Sequence, residues 1–123
     1  MQETELVGVR CIIAGSRDFT DYEKAKAHLD HLFSKRKPYR VVSGGARGAD
    51  SLGERYAMDN NIPLKLYPAD WGLHGKAAGH IRNREMAMNA EALVAFWDGS
   101  SRGTKHMIET AKQMGLKVKV VMV

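Results

Sequence analysis

Three short segments hold the residues whose types and spacing point to chemistry. They read Gly15-Ser16-Arg17-Asp18-Phe19, Ser43-Gly44-Gly45-Ala46-Arg47-Gly48-Ala49-Asp50 and Asp98-Gly99-Ser100-Ser101-Arg102-Gly103-Thr104. Each combines glycine or serine with an arginine directly ahead of an amphipathic run. Glycine lets the backbone approach an anion closely, and a helix N-terminus offers unpaired N–H groups and partial positive charge. The hydroxyls of Ser16, Ser43, Ser100 and Thr104 are candidate donors to phosphate oxygens, and Arg17, Arg47 and Arg102 add charge-assisted forks. Asp18, Asp50 and Asp98 are candidate acceptors for sugar hydroxyls. A single turn of this kind has a plainer reading, since glycine also turns any strand into a helix, and Ser51-Leu52-Gly53-Glu54 has capping-box spacing. Three such turns at one place favour an anion site.

Other chemistries lack their residues. A P-loop needs a lysine and a hydroxyl after the glycines, and the stretch from Gly44 to Asp50 has no lysine. The first strand is not followed by G-x-G-x-x-G, which argues against ordinary NAD-dependent redox chemistry and a dinucleotide cofactor. No G-x-S-x-G elbow occurs, so a serine hydrolase is not expected. His74, His80 and His106 have no metal-ligand spacing with Cys11, so no metal site is expected. Trp71 and Trp97 read as core or pocket wall, and Trp97, ending a strand, is placed to stack on a base.

The elements that must position these turns alternate regularly. Val9-Arg10-Cys11-Ile12-Ile13-Ala14 reads as a buried strand. Tyr22, Ala25, Leu29, Leu32 and Phe33 form a helical stripe behind a Thr20-to-Glu23 capping box, with His28 and His31 on the solvated side. Lys35-Arg36-Lys37-Pro38 ends that helix. Tyr39 to Ser43 is the second strand, and Ala49, Leu52, Tyr56 and Ala57 mark the second helix. Pro63 to Tyr67 is the third strand, followed by a loop from Pro68 to about Ala77. A third helix runs from about Ala78 to Asn89, and the fourth strand lies within Glu91 to Trp97. Thr104, Met107, Ile108, Ala111 and Met114 mark a fourth helix ending at Gly115, and Lys117 to Met122 is the fifth strand. Met86, Met88, Met107 and Met114 read as core filler.

Four strand–helix alternations and a final strand predict an α/β fold: a doubly wound parallel sheet of about five strands with helices on both faces. The most apolar strands should be central, giving the order 3-2-1-4-5. Ligands of such sheets sit beyond the carboxyl ends of the strands where the order reverses, here between strands 1 and 4. The three turns leave strands 1, 2 and 4, so they should share that crevice.

Composition sets the outer bounds. The 123 residues form one expected domain, 1–123, with 44% hydrophobic and 27% charged residues, which excludes a disordered chain or a disulfide scaffold. No run approaches the length that spans a bilayer, and the opening Met1-Gln2-Glu3-Thr4-Glu5 lacks the pattern of a secretory signal. The lone Cys11 reads as a small buried hydrophobe, and a cytoplasmic location is expected. A net charge of +5 and a pI near 9.5 suit an anionic partner without specifying one.

The same turns, with Pro68-Ala69-Asp70-Trp71 and Ala78-Gly79-His80-Ile81-Arg82-Asn83, resemble the YspA-like branch of the SLOG superfamily along nearly the whole chain. That superfamily groups Rossmann-like domains of DNA-processing protein A and of the LONELY GUY phosphoribohydrolases. The resemblance implies a Rossmann-like fold binding a nucleotide or nucleotide-derived ligand, homodimers or larger assemblies, and a link to phage and conflict systems. LONELY GUY enzymes split a nucleoside monophosphate into base and ribose phosphate and carry P-G-G-x-G-T-x-x-E after the fourth strand. Here Gly103-Thr104 match the G-T step, Gly99, Ser100 and Ser101 replace P-G-G, and Met107 stands at the glutamate position. Arg82, beside Asn83, resembles the arginine of their third helix and is expected to close over the phosphate.

Three functions compete. The first is a nucleotide-binding module using the three turns with Arg82 and Asn83. The second is hydrolysis or transfer at an N-glycosidic bond, with Arg82 as a catalytic candidate beside Gly103-Thr104 and with Asp18, Asp50, Glu54 or Asp98 replacing the missing glutamate. The third is single-stranded DNA binding, because Ser43 to Asp50 resembles the S-G-x-A-R-G-x-D stretch of DNA-processing protein A; the chain lacks the aromatic surface such binders use.

Overall fold

The computed structural model describes residues 9–123. β1 (Arg10–Gly15), β2 (Arg40–Ser43), β3 (Leu64–Leu66), β4 (Ala92–Trp97) and β5 (Lys117–Met122) form one sheet in the order β3-β2-β1-β4-β5. Every neighbouring pair is parallel. The expected fold class and strand order are what the chain adopts. β1 and β4 are buried on both faces, as centre strands of a covered sheet must be.

Side chains on successive strand residues point to opposite faces, and the two cores divide accordingly. Cys11, Ile13, Val41, Val94 and Phe96 pack with α1 (Tyr22–Leu32) and α2 (Ala49–Asp59) on one face. Ile12, Ala14, Val42, Leu93 and Ala95 pack with α4 (Ala78–Met88) and α5 (Arg102–Gln113) on the other. Cys11 is sealed in the first core, and burial pushes its thiol up to about 12, so it is inert.

Several local expectations are corrected. Asp21, not Thr20, caps α1, its carboxylate accepting from the Lys24 amide at 3.1 Å. α2 starts two residues ahead of Ser51 because Gly48, at φ +77°, turns the chain into the helix early. Ser51 Oγ then donates to the Ala46 carbonyl and Glu54 accepts from Ser43 Oγ, so neither makes a capping box. The expected loop contains α3 (Trp71–His74), capped by Asp70, and a 3-10 turn at Gly75–Ala77 leading into α4. Met86 and Met107 are core, but Met88 and Met114 are exposed. His28 is half-buried with its ring edge toward Phe96, while His31 is solvated.

Gly53 sets how closely α2 lies on the sheet. A Cβ there would sit 2.6 Å from Ile13 Cγ2, too near for any real contact. Overpacking costs roughly 1–3 kcal/mol and exceeds the gain of about 1 kcal/mol from replacing a helical glycine by alanine. Gly53→Ala should therefore lower the urea midpoint, with a net loss of up to about 2 kcal/mol; an unchanged midpoint would mean that α2 moves away freely.

Candidate functional site

Parallel strands end together, so the segments after β1, β2 and β4 meet on one side of the sheet. Their meeting is enforced by Ser16 and its neighbours. Ser16 is buried; its amide donates to the Phe96 carbonyl at 2.9 Å and its Oγ accepts from the Asp98 amide at 3.1 Å. Its carbonyl accepts from the Ala49 amide at 3.2 Å, tying the start of α2 to the same point. Two glycines make this approach possible. A Cβ on Gly15 would overlap the Phe96 carbonyl, and one on Gly48 would overlap the Arg17 carbonyl.

The crevice so formed has a volume of about 480 Å³. Gly15, Arg17 and Asp18 line it from the first turn, Ala46, Arg47 and Asp50 from the second, and Asp98, Gly103 and Thr104 from the fourth-strand turn. Arg82 and Asn83 reach it from α4. The structure brings these eleven candidates together. Gly44 and Gly45 border an adjoining hollow instead. Ser16, Ser43, Gly48 and Glu54 lie outside the lining, while Gly99 and Ser100 sit on the exposed outer turn. Sequence reasoning did not place Lys76, His80, Met86 or Met107 on this wall. Trp71 borders both hollows, whereas Trp97 borders neither: its Nε1 donates to the Ser101 carbonyl at 3.1 Å and its ring packs on the α4/α5 core.

The hydroxyls assigned to phosphate all have internal partners. Ser43 Oγ donates to Glu54 Oε2 at 2.7 Å, and Ser100 Oγ donates to Asp98 Oδ1 at 3.3 Å. Ser101 Oγ caps α5 and lies 3.0 Å from Thr104 Oγ1. Asp98 also accepts from the Ser100 and Ser101 amides at 2.9 and 2.8 Å. The α5 end of the crevice is thus largely satisfied by its own side chains. The N-terminus of α2 differs, because its N-cap Gly48 has no side chain to cap the helix. Its first amide, on Ala49, is instead taken by the Ser16 carbonyl.

Charge is arranged unevenly around the cavity. Arg17 and Arg47 are exposed and join no ion pair among the described residues. Arg82 is half-buried; its Nη1 donates to the Gly44 carbonyl at 2.6 Å and its Nε to Asn83 Oδ1 at 3.1 Å. Rather than swinging free to close on a ligand, its guanidinium is already anchored over the second turn. Burial lowers its pKa, and the Asp50 carboxylate beside it offsets part of that. Asp50 is buried, which pushes its carboxyl up to about 6 against the pull of the Ala46 amide and the Arg82 charge. Asp98 moves the other way, drawn down by the Ser100 and Ser101 amides. Two carboxyls of one crevice therefore differ in protonation near pH 6, the condition under which one can donate a proton while the other stays ionised.

His80 on this wall is backed by His106, which borders a separate hollow. His80 stacks on His106 with ring centroids 3.7 Å apart, and Asn83 Nδ2 donates to His106 Nδ1 at 3.1 Å. Burial first, then the His80 neighbour, holds the His106 pKa down, so it accepts that bond as the neutral ring. Among the described residues no group of three His, Cys, Asp or Glu could hold a metal ion. No helix among them is long and apolar enough to cross a membrane.

Comparison with known proteins covers both halves of this crevice. A sequence model of the YspA, cpYpsA-related SLOG family matches residues 9–74, which include the first and second turns and α3. The chain is also similar to the Gene 61 protein of Mycobacterium phage D29, at 41% identity over 118 residues, covering 89% of this chain and 93% of that protein.

Proposed function

Because the chain belongs to the YspA, cpYpsA-related SLOG family, whose membership points to nucleotide-related binding or processing, we propose that its crevice binds a nucleotide or nucleotide-derived ligand. The observation that carries this reading is the convergence of Arg17, Arg47 and Arg82 on the crevice beside the first turn of α2. A phosphate there meets three guanidinium groups at once. Asp18, Asp50 and Asp98 on the same wall suit ribose hydroxyls, and Met86 and Met107 give an apolar floor. Titration of the full chain with the common nucleoside monophosphates, followed by calorimetry, tests it. Saturable binding of at least one is expected; heat-silent titrations across the set would remove the reading.

A second reading, scission of an N-glycosidic bond, is favoured by Asp50. A buried carboxyl titrating near 6 beside the crevice can stabilise an oxocarbenium-like centre when ionised or protonate a leaving base when not. Met107 supplies no carboxylate at the position where related phosphoribohydrolases carry glutamate. Incubation with nucleoside monophosphates and chromatography for free base decides between binding alone and turnover. Release of base that Asp50→Asn abolishes would establish the enzyme; no release would leave the binding module.

A further inference from the structure

We propose that the ligand is a nucleoside di- or triphosphate whose phosphates beyond the first enter a second, all-cationic compartment beside the main crevice. This rests on the nucleotide reading and extends it. The compartment has a volume of about 360 Å³, against about 480 Å³ for the crevice, and lies between the second turn and the segment after β3. The two hollows share Arg17, Ala46, Arg47, Trp71 and Arg82 and so adjoin, which lets one ligand reach into both.

Their charges differ in kind. The crevice wall carries Asp18, Asp50 and Asp98, which suit a sugar and its hydroxyls. The second compartment has three arginines and no carboxylate in its lining. Arg17 and Arg47 have no carboxylate partner among the described residues, whereas Arg82, held on the Gly44 carbonyl, also faces the Asp50 carboxylate of the crevice. A phosphate monoester carries a charge of about −1.5 to −2 near neutrality, and each added phosphate brings further negative charge and acceptor oxygens to these guanidinium groups. The backbone leaves room for it. Gly45, at φ +75°, has no heavy atom within 4 Å of where a Cβ would stand. Gly44 must lack a Cβ because Arg82 and Asp50 lie against it.

The test is calorimetry at fixed ionic strength with adenosine and guanosine mono-, di- and triphosphates and with inorganic triphosphate. The diphosphate of the preferred base should bind at least about tenfold more tightly than its monophosphate. Ala69→Glu puts a carboxylate into the second compartment at a residue outside the main crevice wall, and should bring that ratio to about one. Lys119→Gln, on the exposed β5 edge, changes net charge equally and should leave the ratio intact. Equal affinities for mono- and diphosphate in the wild type would overturn the proposal. So would a ratio that survives Ala69→Glu or falls equally in Lys119→Gln. If Ala69→Glu does not fold, the wild-type ladder and Lys119→Gln decide. Binding of inorganic triphosphate without any nucleotide would keep the compartment and remove the nucleotide reading; no binding of any probe would remove both.

Discussion

Replacing Asp50 with asparagine should stabilise the folded chain by about 3 kcal/mol at pH 8 and by almost nothing below pH 3.5. The cause is the buried carboxyl, whose pKa rises from its ordinary 3.8 to about 6 on folding. A raised folded pKa means that the native state holds this proton more tightly than the unfolded state. The stability from that proton is fully present below the unfolded value and is lost as pH rises through the folded one. Above about pH 7 the native chain must keep an ionised Asp50 out of water beside the second turn, and the Ala46 amide and Arg82 offset only part of that cost. Asparagine keeps the shape and the acceptor for the Ala46 amide but has no charge to bury. Urea denaturation of both proteins at intervals from pH 3 to 8 checks this. Parallel curves, or an asparagine variant that is less stable at pH 8, would show that Asp50 is not desolvated.

The second large effect concerns the arginines. Removing Arg47 and Arg82 together should weaken binding of a nucleoside monophosphate by at least about a hundredfold, because hydrogen bonds to a charged group contribute roughly 1.5–3 kcal/mol each. The two sites differ in what else they do. Arg47 is exposed and unpaired among the described residues, so Arg47→Ala should leave the melting temperature unchanged. Arg82 anchors the Gly44 carbonyl and faces Asp50, so Arg82→Ala should also lower stability above pH 6. A double variant that binds within a few-fold of the wild type would place the phosphate elsewhere.

The architecture was legible because burial leaves a period in the sequence. Cys11 and Ile13 belong to one core and Ile12 and Ala14 to the other, and so continuous an apolar run fits only a strand covered on both sides. The alternation with helical stripes then fixed parallel pairing, and the relative polarity of the strands gave their order. α3 escaped because one turn of helix has no stripe to read, although Asp70 ahead of Trp71 was its cap signal. The caps of α1 and α2 were misplaced because Thr20, Asp21 and Ser51 all have suitable side chains, and only Gly48 and the local dihedral angles choose among them.

The site was legible in outline and less so in its contacts. Glycine and arginine after β1, β2 and β4 marked the turns, and the topology brings those turns together. Whether a serine in such a turn faces outward or closes the turn is invisible in one dimension. Ser16, Ser43 and Ser100 all point to protein partners, which under the proposed reading leaves anion recognition to Arg17, Arg47 and Arg82. The choice between Trp71 and Trp97 had the same difficulty. Trp97 ends an apolar strand and continues the core, while Trp71 stands on a short helix whose place at the crevice depends on how the chain folds back after β3.

The most direct measurement is a crystal structure of the full chain grown with a saturating nucleoside monophosphate. Density for phosphorus is expected beside the first turn of α2, within hydrogen-bonding reach of the Arg47 and Arg82 guanidinium groups, with the sugar toward Asp50. Phosphate density seated in the turn between β4 and α5 away from Arg47, or a crevice filled only by solvent at saturation, would contradict it.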